Sequence, residues 1–272
     1  MNTEDQIPVM VAGANGKMGR EVVQTVLQQV DLRLVSALGH TRGVGEDVGT
    51  MTHGEACGVM LSDDIEECTS KAAGGVLVDF TLGPAVKDIV LSALRHNMAC
   101  VVGTTGLPPS DMAEIEETAR NHNQPVLLAP NFALGAVLMM KFAREASKYF
   151  RWAEIIELHH EKKMDAPSGT ARRTAEMMRK ARSDGFRAMA QEEESVKGCR
   201  GGSIGGVRVH SVRMPGLLAH QQVMFGNHGE TLLIQHDARA RNAYMPGVLL
   251  AIQRVRNLTG LVEGLEHILD LP

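Results

Sequence analysis

The segment from His159 to Ala171 reads His-His-Glu-Lys-Lys-Met-Asp-Ala-Pro-Ser-Gly-Thr-Ala. Its residue types could move a proton and hold an anion. Histidine titrates near neutral pH. Lys163, four residues after His159, adds a compact positive charge. Ser168, Gly169 and Thr170 read as a helix start, where hydroxyls and unpaired backbone N–H groups attract negative charge. Ser168 and Thr170 also suit plain helix capping, and both uses can coexist because several N–H groups are available there. Asp165 is expected to pair with Lys162 or Lys163 in a structural role. Such a pocket suits one carboxylate, or two if His160 contributes.

Upstream, Ala153 to Leu158 is an apolar, strand-like run. Proton donors and anion-binding groups therefore meet where a strand ends and a helix begins. If the strand continues, Glu157, His159 and Glu161 share one face, and His160 shares the other with Leu158. Histidines on opposite faces cannot readily grip one ion, and no nearby set has zinc spacing. No metal site is expected.

Gly13-Ala14-Asn15-Gly16-Lys17-Met18-Gly19 supplies a second chemical feature. It follows an apolar strand and opens a helix, with GxxGxxG spacing. Glycine allows a sharp turn and close approach to a pyrophosphate, and the helix N-terminus provides free N–H groups. A plain tight turn would fit the same spacing; the position at the first strand–helix junction favours a nucleotide. The acid that would grip a ribose at the end of the second strand is missing. That place reads Leu38-Gly39-His40-Thr41-Arg42. A carboxylate there would repel a 2′-phosphate, whereas Arg42 or His40 would attract one. NADPH is therefore expected to serve at least as well as NADH. Thr81 and Gly103-Thr104-Thr105-Gly106 belong on the same carboxyl edge and could lie beside the nicotinamide ribose.

The elements that must position these groups follow from periodicity. Strands are expected at Pro8–Ala12, Leu32–Leu38, Gly75–Phe80, Ala99–Val102 and Val126–Ala129. Helices are expected at Met18–Val30, Pro84–His96 and Asp111–His122, the last with Ser110 as N-cap. Residues 39 to 62 read as long Gly-rich loops. This alternation argues for a parallel sheet with helices on both faces. After about residue 130 the pattern changes. A long helix at Ala133–Phe150 and a helix at Thr170–Arg182 accompany strands at Ala153–Leu158, Val207–Val212, His220–Phe225 and Thr231–His236. Residues 184 to 206 read as a polar loop. Tyr244–Leu258 is a helix that could return to the first domain. The expected class is α/β: a Rossmann-like dinucleotide-binding domain from residues 1–130 and 241–272. The companion, 131–240, is an α+β substrate and oligomerisation domain with an open mixed sheet.

Composition narrows the function. Of 272 residues, 44% are hydrophobic and 22% charged, as in ordinary globular proteins. A net charge of −4, with both signs mixed, gives no basic stripe for nucleic acid. No apolar window is long enough to span a membrane. The polar start resembles neither a signal nor a transit peptide. Cys57, Cys68, Cys100 and Cys199 lack CxxC spacing and suit a reducing compartment, so a cytoplasmic enzyme is expected.

Taken together, His159–Ala171 resembles the signature of the dihydrodipicolinate reductase family. The glycine turn, Asp79-Phe80-Thr81, Gly103-Thr104-Thr105-Gly106, Pro130-Asn131-Phe132 and Gly202-Ser203-Ile204-Gly205 fall in that family's order. The resemblance implies reduction of 4-hydroxy-tetrahydrodipicolinate in the diaminopimelate route to lysine, with hydride from NADPH or NADH, in a homotetramer. It implies that His159 donates the proton and Lys163 is a catalytic, substrate-binding cation. By the same resemblance His160, Ser168, Gly169 and Thr170 hold the dicarboxylate. Gly13, Ala14, Asn15, Gly16, Lys17, Met18, Gly103, Thr104, Thr105, Ala129, Pro130, Asn131 and Phe132 then line the cofactor. The family often carries an acid where Gly39 stands. Two other readings compete: a Rossmann reductase for another small acid, and a regulatory protein that senses NADPH without turnover.

Overall fold

The computed structural model describes residues 6–40, 42–104, 106–187 and 193–269. Two compact units divide the chain: Met1–Phe132 with Tyr244–Pro272, and Ala133–Ala243. The first half of the first unit runs β1 (Ile7–Ala12), α1 (Lys17–Leu27), β2 (Leu32–Leu38), α2 (Val48–His53), β3 (Leu61–Ser62) and α3 (Ile65–Lys71). It continues with β4 (Val76–Asp79), α4 (Gly83–Arg95), β5 (Ala99–Val102), α5 (Pro109–Asn121) and β6 (Val126–Leu128). The second unit contains α6 (Leu134–Ala146), β7 (Trp152–His159), α7 (Gly169–Ala181), β8 (Gly202–Ile204), β9 (Val207–Arg213), β10 (Ala219–Asn227) and β11 (Glu230–Ala238). The chain then completes the first unit with α8 (Met245–Arg254) and β12 (Leu261–Glu263).

Seven parallel strands form the first sheet in the order β12-β6-β5-β4-β1-β2-β3. Val9 to Ala12, Val76 to Asp79 and Ala99 to Val102 are buried throughout. Such uninterrupted burial belongs to strands covered on both faces by helices. On α4, Val86, Ile89, Val90, Ala93 and Leu94 are buried at helical spacing against this sheet. Burying each Val, Ile or Leu among them stabilises by about 1.5–3 kcal/mol. Because β1 sits between β2 and β4, the winding reverses there, and ligands of such sheets bind at the carboxyl ends beside the reversal.

Several boundaries differ from those expected. Residues 39 to 62 hold α2 and β3 rather than loop alone. Elements this short carry no readable periodicity. Asp47 organises the stretch: its carboxylate accepts from Cys57 and Gly58 N–H and caps α2 through Thr50 N–H at 3.1 Å. The bond from Cys57, with those from Thr50 and Gly58, outweighs burial and holds this carboxyl at about 2. Helix α5 is capped by Pro108, not Ser110, because Pro109 takes the first helical position, where its fixed φ and missing N–H cost nothing. The helix expected at Tyr244–Leu258 is α8 flanked by 3-10 turns, Arg241–Tyr244 and Val255–Asn257.

The second sheet has the order β11-β10-β7-β9-β8. β7 and β9 are parallel, and the other pairs are antiparallel. β8 lies within the stretch expected to be loop. Burial alternates along β7: Ala153, Ile155 and Glu157 are buried, while Glu154, Ile156 and Leu158 are half-buried. Helix α7 packs on the buried face with Ala171, Thr174, Ala175 and Met178. One row across that face contains His236, Gln221, Glu157 and Ser211. Among the described residues, no helix is long and apolar enough to cross a membrane. All four cysteines are free thiols.

Candidate active site

β7 stops at His159, and the chain leaves the sheet there. His160 and Glu161 enter a turn closed by Lys163 N–H to His160 C=O at 3.1 Å. Strand alternation therefore does not extend to them; Glu161 is exposed and shares no strand face with His159. The cause is local: the turn takes the backbone away before another ladder bond can form.

Glu157 is fully buried at the centre of the site. Its Oε2 accepts from His159 Nδ1 at 2.5 Å and from Arg213 at 2.9 Å. Its Oε1 accepts from Arg213 at 2.8 Å and from Ser168 N–H at 3.1 Å. Burial alone would push this carboxyl up, but the hydrogen bonds from His159, Arg213 and Ser211 outweigh it and hold the group at about 2. A single carboxylate thus joins the end of β7 to the N-cap of α7. The His159 side chain remains 15% exposed beside it.

Ser168 caps α7, accepting from Ala171 N–H at 3.2 Å. The first turn is also fixed from below. Thr174 Oγ1 donates to Thr170 C=O at 2.7 Å, and Gln221 Nε2 on β10 donates to Thr174 Oγ1 at 2.9 Å. Gly169 is exposed at the helix entrance. Lys163 Nζ pairs with Asp165 Oδ1 at 2.8 Å, which gives Asp165 the expected partner. The second unit therefore gathers His159, Ser168, Gly169 and Thr170 at one strand–helix junction, with His160 and Lys163 in the connecting loop. Arg213 and Gln221, and the role of Glu157, are not apparent from sequence.

The first unit builds the glycine turn. Gly13 has φ +75°, and a Cβ there would meet the Phe80 carbonyl at 2.9 Å. At Gly19 a Cβ would lie 2.0 Å from Gly13 O, so only glycine lets α1 begin this close to β1. The first intrahelical bond runs from Arg20 N–H to Gly16 C=O at 3.0 Å. The amides of Lys17, Met18 and Gly19 therefore lie outside the helical ladder. No acidic side chain occupies that first turn. This cradle fits the pyrophosphate of a dinucleotide. Ala14, Ala129 and Phe132 are buried, so they offer backbone rather than side chain to such a ligand. Phe132 packs on Phe80 with ring centroids 5.4 Å apart. Lys17 and Pro130 are exposed, and Gly16, Asn15, Met18 and Asn131 line the same strand-end edge.

At the end of β2, Asn15 Nδ2 donates to the carbonyls of His40 and Arg42 at 3.2 and 2.9 Å. A Cβ at Gly39 would meet Asn15 Oδ1 at 2.8 Å. An acidic side chain there would have to displace Asn15, and Arg42 itself is exposed. At the ends of β4 and β5, Asp79 accepts from Thr81 N–H at 3.0 Å. Thr104 Oγ1 lies 2.6 Å from Thr81 O and 3.2 Å from Asp79. Burial pushes the Asp79 carboxyl up to about 6 despite bonds from Thr81 and Thr104. Thr105 lies outside the described residues. No group of three His, Cys, Asp or Glu among the described residues could hold a metal ion.

A doubly wound sheet with this glycine turn, in a chain whose second unit sets a histidine and a helix start on one buried carboxylate, has the parts of a nicotinamide-dependent oxidoreductase. The particular family follows from comparison with known proteins. The model for "Dihydrodipicolinate reductase, N-terminus" matches residues 7–132, and that for "Dihydrodipicolinate reductase, C-terminus" matches residues 135–269. The chain belongs to the dihydrodipicolinate reductase family. It is 44% identical over 266 residues to a 4-hydroxy-tetrahydrodipicolinate reductase of Desulfitobacterium hafniense, covering 97% of this chain and 99% of that one. A protein of the same name from Syntrophomonas wolfei is 46% identical over 261 residues, covering 96% and 98%. The solved structure of a dipicolinate-bound dihydrodipicolinate reductase from Paenisporosarcina sp. TG-14 superposes with a TM-score of 0.86 at 37% identity, covering 97% of this chain and all of that one.

Proposed function

We propose that this protein reduces 4-hydroxy-tetrahydrodipicolinate to tetrahydrodipicolinate, the step that this family serves in the diaminopimelate route to lysine. The unit with the parallel sheet binds the nucleotide, and the unit with the mixed sheet binds the dicarboxylate. The observation that carries the site assignment is the shared Glu157 carboxylate. One oxygen orients His159, and the other fixes the Ser168 helix start. A proton donor and an anion-binding helix terminus are thereby locked to the same group. The dipicolinate bound to the Paenisporosarcina protein supports a small dicarboxylate ligand.

A bound nicotinamide nucleotide supplies the hydride. The overall change consumes one hydride and one proton and releases one water. His159 gives the proton as negative charge develops on the ring system, and Lys163 stabilises that charge. His160, Ser168, Gly169 and Thr170 hold the carboxylates. Gly13 to Met18, Gly103 to Thr105 and Ala129 to Phe132 hold the cofactor, with Arg42 toward a 2′-phosphate. The carboxylate missing at Gly39 and the exposed Arg42 support NADPH serving at least as well as NADH.

A homotetramer of this chain is supported by the sheet face that α6 and α7 leave open. Ile156, Leu158 and Val212 are half-buried there, and Met224 and Leu233 are exposed. Ion pairs punctuate this face: Glu154 with Arg200 and His210, and His220 with Asp237.

The test is a coupled assay with enzymatically generated substrate, following nicotinamide absorbance with NADPH and with NADH. Turnover is expected with both, and kcat/KM with NADPH at least equal. Tight NADPH binding without turnover would overturn the enzymatic reading in favour of a sensor. Arg42→Ala should lower the NADPH-to-NADH ratio; an unchanged ratio removes Arg42 from cofactor choice.

A further inference from the structure

Every lone-pair site of the Glu157 carboxylate is engaged: each oxygen accepts two hydrogen bonds from among His159, Arg213 and Ser168, and Ser211 is a further donor beside it. Arg213 is equally saturated. Its Nε donates to Lys163 C=O at 3.2 Å. One terminal nitrogen donates to Glu157 Oε2 at 2.9 Å and Val212 C=O at 2.8 Å, and the other to Glu157 Oε1 at 2.8 Å and Asp165 C=O at 2.6 Å. All five guanidinium N–H groups are used. A side chain this constrained has one orientation, and its contacts span β7, β9 and the loop that carries Lys163.

We propose that Glu157 and Arg213 are a positioning pair for the reduction. Glu157 holds the His159 ring with a hydrogen on Nδ1, so the proton given to substrate leaves from Nε2. Arg213 ties the same carboxylate to the Lys163 loop. The proposal rests on His159 being the proton donor.

The chemistry follows from what each group can do. An ionised carboxylate only accepts, so Nδ1 must donate to it. The neutral ring then has its lone pair on Nε2. The protonated ring carries its transferable proton there. Transfer breaks the Nε2–H bond, forms the bond to substrate and leaves the neutral ring with its Nδ1 hydrogen still on Glu157. Arg213 stands opposite His159 in register on β9. On the other side β10 places uncharged Ala219 and Gln221 on the same face. The loop adds the Lys163–Asp165 pair. No other carboxylate is bonded to the ring among the described contacts.

The test is 15N-histidine labelling of the full chain, with two-dimensional spectra reporting which ring nitrogen of His159 carries the hydrogen. The His159 signals are assigned by their loss in His159→Gln. The neutral wild-type ring is expected to carry it on Nδ1. A neutral wild-type ring protonated on Nε2 overturns the proposal, and this measurement needs no Glu157 variant to fold. In Glu157→Gln the amide can donate to Nδ1, which reverses the tautomer. There kcat should fall about 10²-fold or more, with a much smaller change in KM. An unchanged tautomer and unchanged kcat in that variant also overturn the proposal. Arg213→Lys keeps a charge beside Glu157 but loses the fork to both loop carbonyls, so KM should rise together with a fall in kcat; wild-type values for both would remove Arg213 from the pair. Failure of the underlying reading looks different: near wild-type kcat in His159→Gln, with the wild-type ring still protonated on Nδ1, would remove His159 as donor while leaving its positioning intact.

Discussion

One oxygen of Glu157 bonds the His159 ring and the other the N–H of Ser168, two residues before Thr170, and the parts proposed for His159 and Thr170 should separate in kinetics. A proton donor acts only as charge develops, so His159→Gln should lower kcat by about 10²- to 10⁴-fold with little change in KM. Thr170 belongs to the helix start proposed to hold the carboxylates, so Thr170→Val should mainly raise KM. Steady-state measurement of both variants tests the split, and near wild-type kcat in the His159 variant would refute the donor role. These residues are legible in sequence because they lie within one contiguous strand–loop–helix stretch. Arg213 and Gln221 are not. Arg213 meets Glu157 across 56 positions, and Gln221 meets Thr174 across 47. Nothing in an isolated strand pattern says which arginine faces which carboxylate; pairing register decides it.

At the scale of elements, the strand ends of the first unit are joined by a buried acid. Asp79 terminates β4 and accepts from Thr81, with Thr104 after β5 close by. Its carboxyl is raised from 3.8 to about 6 by burial, so folding favours the neutral form. The sign follows: the stability it contributes is fully present below about pH 4 and is lost as pH rises through 6. The difference is worth on the order of 3 kcal/mol. Asp79→Asn removes that ionisation. Wild type should therefore lose stability relative to the variant between pH 4 and 7, measured by urea unfolding at each pH. A difference between the two that stays constant with pH would contradict the buried ionisation. Strands such as β1, β4 and β5 are readable because continuous burial over Val9–Ala12, Val76–Asp79 and Ala99–Val102 leaves a largely apolar run. The short α2, β3 and β8 are held by capping and by neighbouring strands, and those contacts have no period.

For the whole molecule, the open face of the mixed sheet is the place where assembly would act. Met224 and Leu233 are directly opposed on β10 and β11, and both are exposed. Leu233→Glu places a charge in that patch without touching the buried face. Sedimentation velocity should then show the tetramer proposed for wild type and smaller species for the variant; a tetramer that survives the substitution would move the interface elsewhere. The C-terminal stretch shows another decision made at this scale. α8 and β12 belong to the first unit, with β12 pairing parallel to β6. Gln253 Nε2 reaches Asp31 at 2.9 Å across 222 positions.

By itself the sequence determined the alternation of strands and helices, the glycine turn, and the convergence of His159 with the Ser168–Thr170 helix start. Each is encoded locally, through hydrophobic period, backbone freedom or capping chemistry. Only the tertiary structure decided that β7 pairs with β9 in parallel, and so that Arg213 and Glu157 saturate one another beside His159. It also decided that Asn15 fills the space an acid at position 39 would need. Both outcomes depend on side chains brought together from distant strands and turns. Hydrogen-bond capacity there is settled by register and packing, and neither is written in any single segment.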